Sequence, residues 1–145
     1  MSALVLGRPA EVMHTIWAAQ MADPAERSFA EKHRISREDF LRRYDGADVV
    51  GVEVDGQLAG GMFFISGAVH IGILPQYRSR WARSLKPMFE RGFALHGSPL
   101  LARVGAYNRG AQAFVERIGC EKLDETALYI DYAAFQERMC YGFTR

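Results

Sequence analysis

The 145-residue chain has few cysteines, no excess of either charge and no long apolar run. Cys120 and Cys140 are too few for a disulfide framework and show no metal-ligand spacing, as is typical of a chain in a reducing compartment. No stretch approaches the roughly eighteen apolar residues of a membrane span. The segment from Met1 to Pro9 lacks the basic start of a signal peptide. We therefore expect a cytoplasmic protein without a membrane partner.

The charges are nearly balanced: Lys plus Arg is 18, Asp plus Glu is 17, and the formal net charge is +1. This balance argues against binding to nucleic acid through bulk electrostatics. The positions of His14, His33 and His96 are too far apart in sequence to predict a metal site. No repeat or linker-like tract interrupts the chain, and its length suits a single domain over residues 1–145.

Hydrophobic periodicity predicts a mixed chain of class α/β or α+β. The predicted strands are Ala3–Leu6, Val49–Val54, Leu58–Ile65, Ala68–Leu74, Leu100–Ala106 and Thr126–Tyr132. The predicted helices begin near Pro9, Ser36, Ser79 and Asn108, with a short terminal helix over Ala133–Met139. The polar, weakly periodic segment Ala25–Ile35 is interpreted as a loop or irregular helix. This order predicts an antiparallel meander followed by a parallel, right-handed β-α-β crossover, with helices on both faces of one sheet.

Local signals support several of these boundaries. Asp55-Gly56 is typical of a hairpin turn. The pair Gly60-Gly61 indicates a bulge or a close backbone approach. Ser36 with Asp39 resembles a capping box, and Asn108 is a good cap for the helix that follows it.

Three motifs add a family resemblance. The run Ile73–Arg78 (ILPQYR) ends a strand, Arg78–Arg83 (RSRWAR) forms a loop, and Asn108–Cys120 contains Asn-x-x-Ala followed by Gly119. Together with the element order over Val49–Tyr132, they resemble the GCN5-related N-acetyltransferase (GNAT) fold. This resemblance implies a mixed central sheet and transfer of an acetyl group from acetyl-CoA, the co-substrate, to an amine. The acceptor would be a small molecule or a peptide.

The resemblance also implies where acetyl-CoA binds. Backbone N–H groups in the loop and at the following helix N-terminus would form a nest for the pyrophosphate. Strand residues and the last motif helix would contact the pantetheine arm. The matching positions are Ile73, Leu74, Arg78, Ser79, Arg80, Trp81, Ala82, Arg83, Asn108 and Phe114.

Three side chains are candidates for proton transfer. His70 is the first, because only histidine titrates near neutral pH; its alternative is a hydrogen-bonded, half-buried strand residue. Glu53 follows, since a carboxylate on this sheet can serve as base, although strand alternation also fits a solvent-facing residue. Tyr107 is the third: it could supply the hydroxyl that Val115 lacks at the position where the family often has tyrosine.

The sequence departs from the family pattern in the loop, where Trp81 and Arg83 replace glycines. Trp81 is either a core anchor or a plug of the cofactor site, and the basic residues near it are either a solvated face or phosphate ligands. Some phage-borne members of the fold carry similarly degenerate loops. The alternative function is therefore a non-enzymatic structural or assembly protein of a tailed phage, located in the particle, with virion proteins or further copies of itself as partners. A third alternative is a small-ligand binding module.

Overall fold

The computed structural model describes residues 1–141, over which the chain forms one seven-stranded sheet and five α-helices. The strands are β1 (Ser2–Val5), β2 (Asp48–Val54), β3 (Gln57–Ile65), β4 (Ala68–Ile73), β5 (Leu100–Gly105), β6 (Glu121–Glu125) and β7 (Tyr129–Ala134). The helices are α1 (Pro9–Ala22), α2 (Pro24–Lys32), α3 (Arg37–Arg43), α4 (Ala82–His96) and α5 (Arg109–Arg117). Short 3-10 turns cover Pro75–Tyr77 and Gln136–Arg138. Within the described residues, no helix has the length and apolar character needed to span a membrane.

The strand order is β1-β2-β3-β4-β5-β7-β6, and every neighbouring pair is antiparallel except β4 and β5. The predicted mixed sheet, meander and parallel crossover are therefore confirmed. Both hairpin turns of the meander use two residues at positive φ, Asp55-Gly56 and Ser66-Gly67. Such turns match the twist of the flanking strands, which explains why the sequence located them well.

Of the two interpretations of Ala25–Ile35, a loop or an irregular helix, the helical one is right, because α2 begins at Pro24 and occupies most of the segment. Three other features were predicted wrongly. Helix α4 begins at Ala82 rather than near Ser79, since a 3-10 turn and a short loop precede it. The last strand is shifted towards the C-terminus and extends through Ala134, where a helix was expected.

The third error is the absence of β6 from the prediction. All five residues of β6 are exposed, so its sequence shows no apolar alternation of the kind that identifies a half-buried strand. Only its pairing with β7, at the edge of the sheet, makes it a strand.

Helices cover both faces of the sheet, as expected. Helix α4 packs on one face against the larger core, which includes Val50, Phe64 and Tyr132. On the other face, α1 and α3 cover a smaller cluster that contains Phe40 and Phe63.

A row of glycines brings α1 close to the sheet. Gly51, Gly61 and Gly72 lie opposite one another on β2, β3 and β4. A Cβ atom on Gly51 would lie 2.5 Å from Val12 of α1, and one on Gly72 would lie 2.8 Å from Ile16. The helix therefore rests directly on the backbone of three strands. Gly60 beside this row has φ +142°, at the irregularity in the β2–β3 register that the glycine pair predicted.

Candidate functional site

The parallel strands β4 and β5 separate along their length. Among the described residues, their ladder consists of one pair, Ala68 with Leu101, at the start of both strands. The N–H of Leu101 donates to the carbonyl of Gly67 over 2.8 Å at the same end. No ladder continues towards the C-terminal ends, so a wedge-shaped gap opens there between two adjacent strands.

Unpaired backbone groups line the β4 side of this gap. In an antiparallel ladder, hydrogen-bonded pairs recur at every second residue, and the β3–β4 hairpin assigns His70 and Gly72 to that role. The N–H and C=O groups of Ile71 and Ile73 therefore point towards β5. Leu74 is different: its N–H donates to the carbonyl of Ala59 over 2.8 Å, and its C=O accepts from Tyr77.

The loop after β4 presents further free donors. The N–H groups of Ser79, Trp81, Ala82 and Arg83 have no hydrogen-bond partner anywhere in residues 1–141. The last two belong to the first turn of α4, where the helix dipole favours an anion. The loop therefore has the backbone donors that an anion nest requires, although the glycines are absent.

The basic side chains of this loop are partly engaged within the chain. Arg78 donates from Nε to the carbonyl of Ile73 over 3.4 Å. Arg80 forms an ion pair with Asp55 in the β2–β3 turn. Arg83 and Lys86 are exposed, and the structure shows no ion pair for either within the described part of the chain.

Trp81 is a core residue. Its side chain is 6% exposed and belongs to the larger core, and its ring is stacked with Phe114 of α5 at a centroid distance of 6.1 Å. The pair connects the start of α4 to α5, the helices that follow β4 and β5. This environment agrees with the core-anchor interpretation and places two apolar rings beside the gap.

His70 and Glu53 lie apart from the loop. His70 is stacked on Phe63 at 4.5 Å and contacts Tyr44, on the face covered by α1 and α3. Burial, with a smaller effect from the charge of Arg43, lowers the pKa of His70 to about 4, so its ring is neutral at neutral pH. Glu53 is half-buried on β2, and β3 separates it from β4.

Sequence reasoning missed the carboxylate at the end of β5. Asn108, 8% exposed, donates from Nδ2 to Oε2 of Glu26 over 2.6 Å, while its Oδ1 accepts from the N–H of Ala111 at 3.0 Å. The hydroxyl of Tyr107 donates to Oε1 of Glu26 over 3.1 Å. Burial and the neighbouring Glu26 raise the pKa of Tyr107 well above its usual range, so this hydroxyl stays protonated.

One sequence signal pointed to Glu26. Asp23 caps α2 by accepting from the N–H groups of Ala25 and Glu26, and Pro24 occupies the first helical position. An Asp, then Pro, with Glu three residues after the cap is a typical helix start. That pattern predicts the helix, but it does not predict that Glu26 reaches a residue 82 positions away.

A cavity of about 490 Å³ lies next to this cluster, between α2, the end of β5 and the β6–β7 turn. Its walls are Ala25, Ser28, Phe29, Lys32, His33, Ala106, Tyr107, Ala127 and Leu128. Phe29 is stacked on Tyr107 at 5.0 Å with an interplanar angle of 19°, and it contacts the His33 ring at 4.2 Å. The cavity therefore has aromatic walls and a carboxylate nearby.

The comparisons with known proteins agree on the fold. No family model and no curated protein sequence matches the chain. Among solved structures, PaiA N-acetyltransferase from Thermoplasma acidophilum, in complex with coenzyme A, has a TM-score of 0.62 at 15% identity, covering 93% of this chain and 99% of that chain. The ribosomal-protein-S18-alanine N-acetyltransferase from Escherichia coli has a TM-score of 0.61 at 15% identity, with coverage of 93% and 94%. YjaB from Escherichia coli, in its apo form, has a TM-score of 0.57 at 16% identity, with coverage of 92% and 97%.

These likenesses extend over almost the whole chain. The protein has the fold of the GNAT acetyltransferases. At such low identity the comparison establishes the fold, while the chemistry has to be argued from the site itself.

Proposed function

We propose that this protein is an acyl-CoA-dependent N-acyltransferase that transfers an acetyl group to an amine. The separation of β4 from β5 after Ala68 and Leu101 carries the proposal, because it leaves backbone groups of a central strand unpaired and accessible from the gap. Unpaired backbone groups next to a sheet gap favour an extended ligand with amide groups of its own. Acetyl-CoA has such a ligand arm, and when bound it supplies the acetyl group as a reactive thioester.

The residues of the site fit that ligand. The free N–H groups from Ser79 to Arg83 suit a diphosphate, and the exposed Arg83 and Lys86 add positive charge at the start of α4. Ile71 offers its backbone N–H and C=O to the amide arm, and Ile73 offers its N–H, because the C=O of Ile73 already accepts from Nε of Arg78. The N–H and C=O of Leu74 are already bonded within the chain, so the proposal assigns Ile71 to the role expected of Leu74. Trp81 and Phe114 contribute an apolar wall.

For the proton that leaves the amine, the proposal assigns Glu26 as the acceptor. Its two oxygens are fixed by Tyr107 and Asn108 at the end of β5, beside the cavity. Tyr107 then acts as a hydrogen-bond donor that positions the carboxylate, rather than as an acid, because its pKa is raised. His70 remains the alternative base: its ring is neutral and can accept a proton, directly or through water.

The first test is binding of acetyl-CoA by calorimetry, together with an acetylation assay on a panel of primary amines. We expect a micromolar dissociation constant, about 8 kcal/mol, and transfer to at least one amine. Arg83→Glu should weaken binding, whereas the matched charge reversal Arg37→Glu on α3 should not. Absence of binding at millimolar acetyl-CoA would overturn the proposal.

A second candidate is the non-enzymatic structural or assembly role, in a phage particle or elsewhere. The burial of Trp81, where the family has a glycine, favours this role, because the indole ring fills space that a glycine would leave open to a ligand. This candidate predicts no acetyl-CoA binding by the natural chain and a defined assembly in analytical ultracentrifugation. A monomer that binds acetyl-CoA and acetylates amines contradicts it.

A further inference from the structure

The cavity beside Glu26 has features that define the acceptor more closely. We propose that it holds the aromatic ring of the acceptor, so that the substrate class is a primary amine joined to a flat ring by a short linker. This inference rests on the proposed function, since it names the acceptor of that reaction. The cavity adjoins the C-terminal end of β5 through Ala106 and Tyr107, the edge at which the β4–β5 gap opens.

The aromatic walls form a surface suited to a ring. The Phe29 ring contacts the rings of Tyr107 at 5.0 Å and His33 at 4.2 Å, and Tyr129 meets it edge-on at 6.3 Å. Rings at such distances prefer offset-stacked or edge-to-face neighbours, so a further flat ring gains more here than an aliphatic group of equal size.

The position of Tyr107 is fixed by a glycine beneath it. A Cβ atom on Gly105 would lie 2.4 Å from the Tyr107 ring, so only glycine allows the ring to fold back over the end of β5. Leu128 of the β6–β7 turn lines the cavity although 54% of its surface is exposed. The walls are therefore already in place around an open, apolar space.

The carboxylate of Glu26 supplies the second recognition element. Glu26 and Phe29 are three residues apart on α2, so they lie on one side of the helix with a rise of about 4.5 Å between them. A ring packed on Phe29 and joined to an amine by an ethyl linker can bring its ammonium to the carboxylate. Both protein donors to Glu26 leave lone pairs of its oxygens available, because each oxygen accepts a single hydrogen bond.

Lys32 marks the opposite end of the cavity. It lies six residues beyond Glu26, about 9 Å along the helix axis, and lines the cavity wall. A second ammonium group at that end would meet a like charge. The cavity is thus arranged for a substrate with one cationic end and one uncharged aromatic end, rather than for a diamine.

The experiment compares phenethylamine with 2-cyclohexylethylamine, which differ in whether the ring is flat. We expect kcat/KM with acetyl-CoA to be about two- to twelvefold higher for phenethylamine, the range that corresponds to one aromatic contact. Phe29→Leu should abolish this preference, and the readout is the ratio of the two kcat/KM values rather than either value alone. The matched variant Phe135→Leu, on the segment before the last 3-10 turn, should keep the preference. Equal rates for both amines in the natural chain would overturn the inference.

Two outcomes keep this result separate from the proposed function. If acetyl-CoA binds and both amines react equally, the ring site is wrong and the acyltransferase stands. If acetyl-CoA does not bind, the acyltransferase proposal is wrong. Calorimetry with each amine alone then tests the ring site: we expect tighter binding of phenethylamine than of 2-cyclohexylethylamine, and no such difference in Phe29→Leu. Should Phe29→Leu fail to fold, Ser28→Trp at the exposed rim fills the cavity and should weaken phenethylamine binding.

Discussion

The side-chain amide of Asn108 holds the carboxylate of Glu26 at 2.6 Å, and this bond joins the cap of α5 to the first turn of α2. Asn108 thereby accepts a hydrogen bond from a free N–H group in the first turn of α5 and also fixes a carboxylate that lies 82 positions earlier in the chain. Helix capping and site geometry depend on the same side chain, so substitutions that separate these two roles are informative.

Asn108→Ala should lower the free energy of unfolding by about 1–3 kcal/mol, because it removes the cap and leaves Glu26 with one donor fewer. Asn108→Asp retains an oxygen for the cap but places a second carboxylate against Glu26. We expect Glu26→Gln to restore stability in the Asn108→Asp background. Urea denaturation of Asn108→Asp, Glu26→Gln and the double variant measures this, and additive effects would contradict direct coupling between the two side chains.

Glu26→Gln should reduce kcat by about 10²- to 10⁴-fold while leaving acetyl-CoA affinity unchanged, since a general base contributes on that scale. Glu31→Gln, on the same helix, is the matched control and should behave like the natural protein. Single-turnover rates with a saturating amine are the appropriate measurement. If His70→Gln shows the loss instead and Glu26→Gln does not, the base is His70.

His70 makes the stability of the fold depend on pH. Its pKa is lowered from about 6.5 to about 4, so protonation favours the unfolded chain. Above pH 6.5 the ring is neutral in both states and the free energy of unfolding keeps its full value. As the pH falls from about 6.5 to about 4, that free energy decreases by up to about 3 kcal/mol, because the unfolded chain binds the proton first. Chemical denaturation across this window should show a steeper loss in the natural protein than in His70→Phe. The exposed His14→Gln variant should follow the natural protein.

Trp81→Ala should destabilise the protein by about 3–5 kcal/mol, the range found when a large core aromatic is truncated. Trp81→Phe, which keeps a ring against Phe114, should lose much less. Thermal and urea unfolding measure both. A small loss in Trp81→Ala would mean that the ring is not part of the core, and would instead favour the plug interpretation.

The fold was predictable where local chemistry determines it. Asp55-Gly56 specifies a hairpin through positive φ, and Asn108 specifies a helix start by its side-chain oxygen. Strand β6 was not predictable in this way, because neither of its faces is buried and only the neighbouring strand gives it its conformation. The helix expected over Ala133–Met139 failed for a related reason: pairing with β5 and β6 holds Ala133 and Ala134 in a strand despite their helical propensity.

The site was predictable only in part. The resemblance assigned the loop from Arg78 to Arg83 to the cofactor, and this assignment stays a prediction. Helix-cap chemistry predicted the cap at Asn108, which is confirmed. Glu26 could not be found by spacing, because its partners lie 81 and 82 positions away and meet it only when α2 docks against the end of β5. The roles expected of His70 and Glu53 remain predictions that mutagenesis can test.

The glycine row under α1 affects more than packing. Because Gly51, Gly61 and Gly72 have no side chains, the height of α1 above the sheet is set by backbone contact, which is stiff. Helix α2 follows α1 after the single residue Asp23, so a displacement of α1 is transmitted to Glu26 and Phe29. A methyl group added to one of these buried strands would therefore move the start of α2, where the proposed base Glu26 lies. The interior glycines limit how the recognition surface can evolve.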